Sequence, residues 1–388
     1  MSVLGSWVQQ VALSWLIYRL TGSVALLGAT TFAALLPMLV VGPLAGAWID
    51  RRDKRRLLIL VQGLLAVQAA TLAGLTMFEA VTPGLIIVMS VALGVLNAFD
   101  TPLRQSQISV FVGSRDDLPN ALALNAMLFN AGRFVGPPLA GLLLGLSSEA
   151  VCFGLNALSF SALALGVACI RSEASPPATG SMGAVFREGL RYMIDEYPVR
   201  MQILILAVVN ISASSYAVLL PVYARDVFGG DARMLGWLWG AAGAGAFAGT
   251  ILLAVRHEPK TLVGTVMAGA GISALALLVC AYNRAMLPAL LAMVGLGFGI
   301  STCNVAVNML LQSAAPDRLR GRVVSFFSST RFGFDAIGGL LAGVLAAHTG
   351  VQAAMLIEGM VLTLFVLAVR RSVPRIRAGV VSRLHERH

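Results

Sequence analysis

Charge is what this chain has least of: Asp, Glu, Lys and Arg make up 12% of its 388 residues, against 58% hydrophobic residues. A water-soluble globular domain carries about 25% charged residues, so this composition argues against a large soluble helical protein and for a chain that faces lipid. Cysteine is also scarce. Cys152, Cys169, Cys280 and Cys303 fall in apolar stretches at spacings that match no zinc or thioredoxin motif, so they are read as small buried hydrophobes and no metal or other cofactor is expected. No G-x-x-x-x-G-K-S/T loop occurs, which argues against ATP hydrolysis and against an enzyme. A basic leader and a small-residue cleavage site are missing before "GSWVQQVALSWLIYRL", so no cleavable signal peptide is expected.

What the chain has instead is a series of apolar stretches. About 20 residues at 1.5 Å rise cross a hydrocarbon core of about 30 Å. Twelve such spans are predicted: 1–20, 24–49, 57–78, 84–103, 119–145 and 150–170 in the first half, and 201–222, 234–255, 261–282, 286–311, 323–348 and 351–369 in the second. Their length and the lack of two-residue alternation predict helices rather than a barrel, since lipid permits only those two solutions. The fold class is thus an all-α membrane protein of two six-helix bundles, 1–170 and 201–371. A cytoplasmic linker, 171–200, joins them and a basic tail, 372–388, follows.

The few cations orient the spans, because Lys and Arg concentrate in cytoplasmic loops. With the loop after the second span cytoplasmic, 22 of the 28 cations lie on that side and four on the other, while Arg133 and Arg331 lie inside spans. Both termini are then predicted to be cytoplasmic. The net charge of +10 is read as a topology signal with attraction to membrane lipids, not as a nucleic-acid surface. The halves also match each other weakly. "NAFDTPLRQ" from Asn97 and "NVAVNMLLQ" from Asn304 share an offset of 207, and at offsets of 201 to 202 Leu118 pairs with Leu319 and the "LAG" ending at Gly141 with that ending at Gly343. A same-direction repeat of six helices is how many secondary transporters are built, with the substrate cavity between the repeats.

Two motifs and one longer match then carry a resemblance. "GAWIDRRDKRRLL" after the second span contains Gly46, Asp50, Arg51, Lys54 and Arg55, and "GRFVGPPLAG" in the fifth contains Gly132, Arg133, Gly136, Pro137 and Gly141. The first is similar to the loop signature of the major facilitator superfamily. The second resembles that superfamily's antiporter signature, with Ala140 as the departure. "VLNAFDTPLRQSQ" and "NALALNAMLFNAGRFVGP" look like the branch of drug:proton antiporters and siderophore exporters that includes the enterobactin exporter. The resemblance implies a bacterial inner-membrane exporter of a small molecule, exchanged for protons by alternating access. Asp53 stands where the family has a turn glycine, and Asp tolerates positive φ better than most residues. The first span is short by family standards. Either the start lies upstream of Met1 or the chain is a shortened member.

The motifs also have physical readings. Gly132 and Gly136 allow close helix approach, and Pro137 removes a backbone donor and bends its helix. Asp50 can accept bonds from amides or cations at the end of the second span, while Arg51 and Arg55 reach headgroups or a facing loop. Ionisable groups inside spans cost about 2.5 to 3.5 kcal/mol on insertion scales, so Asp100, Arg104, Arg133, Arg331, Asp335 and Glu358 each need a partner or a task. Asp100 with Arg104, and Arg331 with Asp335, are spaced i, i+4, and the repeat places Arg133 opposite Asp335. Asp335, with Arg331, Asp100 and Arg104, is assigned to proton coupling, and Glu358 to packing. Gln9, Gln10, Asn97, Asn210, Tyr216, Asn304 and Asn308 are predicted to line the substrate cavity, with Ser214 beside them. A monomer is expected. An uptake carrier or uniporter of the same fold, or a non-transporting receptor or lipid scramblase, are the alternatives.

Overall fold

In the computed structural model, residues 2–49, 52–111, 118–169, 191, 193–255, 259–315 and 320–385 are described. All elements among them are helices. They are α1 Ser2–Thr21, α2 Val24–Val40, α3 Gly42–Ile49, α4 Lys54–Met77, α5 Pro83–Phe111, α6 Leu118–Leu146 and α7 Glu149–Cys169. The second half holds α8 Tyr197–Ser212, α9 Tyr216–Val222, α10 Ala232–Val255, α11 Pro259–Tyr282, α12 Met286–Ala314, α13 Arg320–Thr349, α14 Val351–Arg370 and α15 Val373–His385. Among the described residues, ten spans are long and apolar enough to cross a membrane, one of them the composite Tyr197–Val227. The other two expected spans are the less apolar α1 and the broken pair α2 and α3.

Local chemistry explains where the continuous spans of the sequence reading break. The second divides at Val41, beside Gly42-Pro43, where proline cannot donate to the turn before it. The seventh divides at Ala213–Ser215. There the Ser215 hydroxyl donates to the Ser212 carbonyl at 2.9 Å and the Ser214 hydroxyl to Asn210 Oδ1 at 3.1 Å, drawing bonds away from the helix ladder. The same span closes in a π-helical turn, Tyr223–Val227, just after Pro221.

Packing groups the helices by half. In the first half α1 lies on α6 and α7, α2 on α5, and α4 on α5 and α7; in the second, α12 lies on α10 and α11, and α14 on α11. Two extensive seams join the halves, α2 against α13 and α6 against α10. Glycines make both possible. A Cβ on Gly141 would stand 2.8 Å from the Ala232 carbonyl oxygen and 3.0 Å from Gly236 Cα. One on Gly343 would stand 2.8 Å from the Val24 carbonyl oxygen and 3.0 Å from Gly28 Cα. The two "LAG" segments of the internal repeat thus occupy equivalent positions, both at the end of the bundle that carries the α1–α2 and α6–α7 turns.

Candidate transport site

The loop signature divides into a part that is described and a part that is not. Asp50 and Arg51 lie outside the described residues, and Gly46 is within α3. Asp53 has φ −66° and ψ 100°, not a positive φ. It is the N-cap of α4, its Oδ1 accepting from the Arg55 and Arg56 amides at 3.1 Å. An aspartate directly before a helix satisfies two amides that a glycine would leave to water. Lys54 opens α4. Arg55 Nε and Nη2 donate to the Val167 and Ala168 carbonyls at 3.2 and 2.6 Å. Those carbonyls end α7, where a cation is favoured by the helix dipole.

In the fifth span α6 is continuous through Pro137 and Pro138. Gly132 and Gly136 do admit a neighbour closely, and it is α1: their Cβ positions would fall 2.7 Å from Val3 Cγ1 and 2.6 Å from Trp7 Cβ. The opposite face of α6 meets α10, where a Cβ on Gly243 would come 2.5 Å from the Arg133 carbonyl oxygen. Residues 132–141 therefore occupy both a contact within the first half and the seam between halves.

The two i, i+4 charge pairs differ. Arg104 Nε lies 2.7 Å from Asp100 Oδ2, Arg104 Nη2 donates to Ser2 Oγ at 2.8 Å, and Gln62 donates to the other oxygen of Asp100. By contrast, neither Arg331 nor Arg133 forms an ion pair with Asp335 within 4.0 Å, although all three interact electrostatically. Arg331 Nε and Asp335 Oδ1 are buried without a hydrogen-bond partner. The Arg331 guanidinium stands over the Phe332 ring at 5.2 Å and that of Arg133 over Trp7 at 5.8 Å. The contact expected between Arg133 and Asp335 is therefore proximity without bonding. Ser214, from the break between α8 and α9, is beside Asp335, and Ser215 is beside the buried Glu358 of α14.

The polar residues expected to line a cavity separate into groups. Gln9 is 2% exposed and fully engaged inside the first half, donating to Gln68 Oε1 at 3.2 Å and accepting from Asn156 Nδ2 at 2.7 Å. Gln10 is exposed and Asn97 half-buried. Asn210 and Asn304 are buried against each other, with Asn210 Nδ2 donating to Asn304 Oδ1 at 3.1 Å. Asn308 accepts from Gln312 within α12 at 3.0 Å. Tyr216 is buried against Trp239, ring centroids 5.9 Å apart. Of the four free cysteines, Cys152, Cys280 and Cys303 are buried, but Cys169 is exposed because it closes α7.

Sequence reading missed two features. An aromatic strip, Phe129, Trp7, Trp239 and Tyr216, crosses between the halves with successive centroids 6.4, 6.0 and 5.9 Å apart. Tyr18 Oη donates to Asp226 Oδ2 at 2.6 Å, tying α1 to the π-helical turn 208 residues away. Trp7 beside Gln9 and Gln10, and two tryptophans in the Gly-rich start of α10, were the available signals.

This architecture, with apolar helices in two bundles meeting at a charged and aromatic interface, defines a multi-pass membrane transporter of the major facilitator type. The chain belongs to the transmembrane secretion effector family of that superfamily, whose profile matches residues 1–386. It is 26% identical to a staphyloferrin A transporter of Staphylococcus aureus, over 92% of this chain and 89% of the relative. It is 29% identical to the multidrug efflux pump Tap of Mycolicibacterium fortuitum, over 96% and 93%. Among solved structures, a variant of the nucleoside transporter NupG superposes with a TM-score of 0.77 at 13% identity, over 95% and 97% of the two chains. A bacterial homologue of the lysosomal transporter Spinster, inward-facing and unoccupied, superposes at 0.73 and 13%, over 98% and 96%. The chain is a transporter of the major facilitator superfamily and not an enzyme.

Proposed function

We propose that the chain exports a drug-like compound or siderophore across the bacterial inner membrane in exchange for protons, by alternating access between its two six-helix halves. The observation that carries this reading is the group Arg133, Arg331 and Asp335, drawn from both halves and unpaired where the halves meet. Asp335 is the proton carrier. Desolvation favours a neutral carboxyl and a nearby guanidinium favours a charged one, so movement of α6 relative to α13 switches its charge state. Asp100 and Arg104, already engaged with each other, support the first half rather than carry protons.

With both termini cytoplasmic, the glycine seams and the Tyr18–Asp226 bond lie at the exterior end, which supports an inward-facing arrangement. The working unit is a monomer surrounded by anionic lipid. The test is a proton-flux assay in liposomes against a panel of drugs and siderophores. A transported compound entering the lumen is expected to drive protons out and make the lumen alkaline. Transport without proton movement contradicts exchange.

A further inference from the structure

Around Asp335 two guanidiniums, Arg133 and Arg331, face one carboxylate. Arg133 and Arg331 interact electrostatically with each other and with Asp335, and among the described residues no other charged group acts on Arg331 or Asp335. Both arginines are half-buried as whole residues. Unpaired charge inside a membrane is costly and marks a place where something else must bind. Arg331 Nε is buried without an acceptor, and so is Trp239 Nε1, whose residue is 4% exposed. A buried polar group left unpaired is penalised, and the penalty is relieved when a partner arrives. Beside these donors runs the aromatic strip from Phe129 to Tyr216, with Arg133 placed over its Trp7 member. Aromatic side chains bind flat rings by stacking and by edge contact.

We propose that this interface selects an acidic, ring-bearing small molecule, its anionic group taken by Arg133 and Arg331 and its ring by the half-buried Trp7. The proposal rests on the export reading and names its substrate class. Guanidinium groups are suited to this, since they bind carboxylate or phenolate oxygens through paired N–H donors. A cationic compound would meet two guanidiniums for one carboxylate. A ligand with hydroxyl or amine donors besides its acidic group also engages Asp335 Oδ1, the unpartnered acceptor.

The experiment compares two dyes of the same ring framework and opposite charge, fluorescein and rhodamine 123, binding to the purified full chain in detergent by fluorescence anisotropy. Fluorescein is expected to bind at least about tenfold tighter, a difference of about 1.4 kcal/mol. Arg331→Gln is expected to remove most of that preference and Arg331→Lys to restore part of it. If Arg331→Gln does not elute as a folded species, Arg133→Gln serves the same purpose. Equal binding, tighter binding of rhodamine 123, no binding of either dye, or a folded Arg331→Gln protein with the preference intact would each overturn the proposal. Because binding in detergent needs no gradient, a charge preference without proton flux in liposomes leaves this inference standing while the exchange reading falls.

Discussion

Asp100 with Arg104 and Arg331 with Asp335 share one spacing on two helices, and the molecule treats them oppositely. On α5 the pair closes at 2.7 Å, Gln62 donates to the other Asp100 oxygen and Arg104 Nη2 donates to Ser2, although Arg104 Nε meets Asp100 as an ion pair without hydrogen-bond alignment. On α13 the pair stays open, with an unpartnered nitrogen and an unpartnered oxygen. The difference lies in the neighbours. α5 packs beside α4, which supplies Gln62, inside one half, whereas α13 runs along the seam and faces Arg133 from the other half. Spacing alone therefore does not separate a structural ion pair from a working one. What differs is whether the second partner comes from the same half of the chain.

The sharpest way to break the comparison is to remove the cation from each pair. Arg104→Leu leaves Asp100 buried without its partner and is expected to destabilise the protein by about 3 kcal/mol, read as a lower apparent Tm in detergent. Gly141→Val tests the seam: its side chain would meet the Ala232 carbonyl and Gly236, and overpacking of this kind costs about 1 to 3 kcal/mol. Transport by this variant is expected to fall more than its expression, because the seam must open in each cycle. Asp53→Ala removes a satisfied cap and is expected to cost about 1 kcal/mol, with transport per folded molecule unchanged. Arg331→Gln breaks no bond and is expected to change stability by under about 1 kcal/mol, in contrast to Arg104→Leu. A large loss of Tm in the Arg331 variant would mean that the two pairs are alike after all.

Much of the architecture was legible because hydropathy is a property of single segments. The i, i+4 pair on α5 was legible for the same reason, since both partners lie on one helix. The Asp53 cap was readable from an aspartate followed by a basic helical start, but likeness to a family turn drew attention to φ instead. Gln9 was misplaced because its partners, Gln68 and Asn156, come from two other helices and leave no local trace. The same holds for the Tyr18–Asp226 bond and for the aromatic strip, whose members are distant in sequence. The breaks in the second and seventh spans were hidden by apolarity, since a hydropathy run continues smoothly through Gly42-Pro43 and through the serines at 214 and 215.

The central claim is that the open pair drives exchange and the closed pair does not. The direct measurement reconstitutes wild-type, Asp335→Asn and Asp100→Asn proteins in matched liposomes and compares substrate counterflow, which needs no net proton movement, with transport driven by a pH gradient. Asp335→Asn is expected to keep counterflow and lose gradient-driven transport, while Asp100→Asn keeps the wild-type ratio of the two modes. Retention of both modes by Asp335→Asn, or selective loss of the driven mode in Asp100→Asn, would contradict the account.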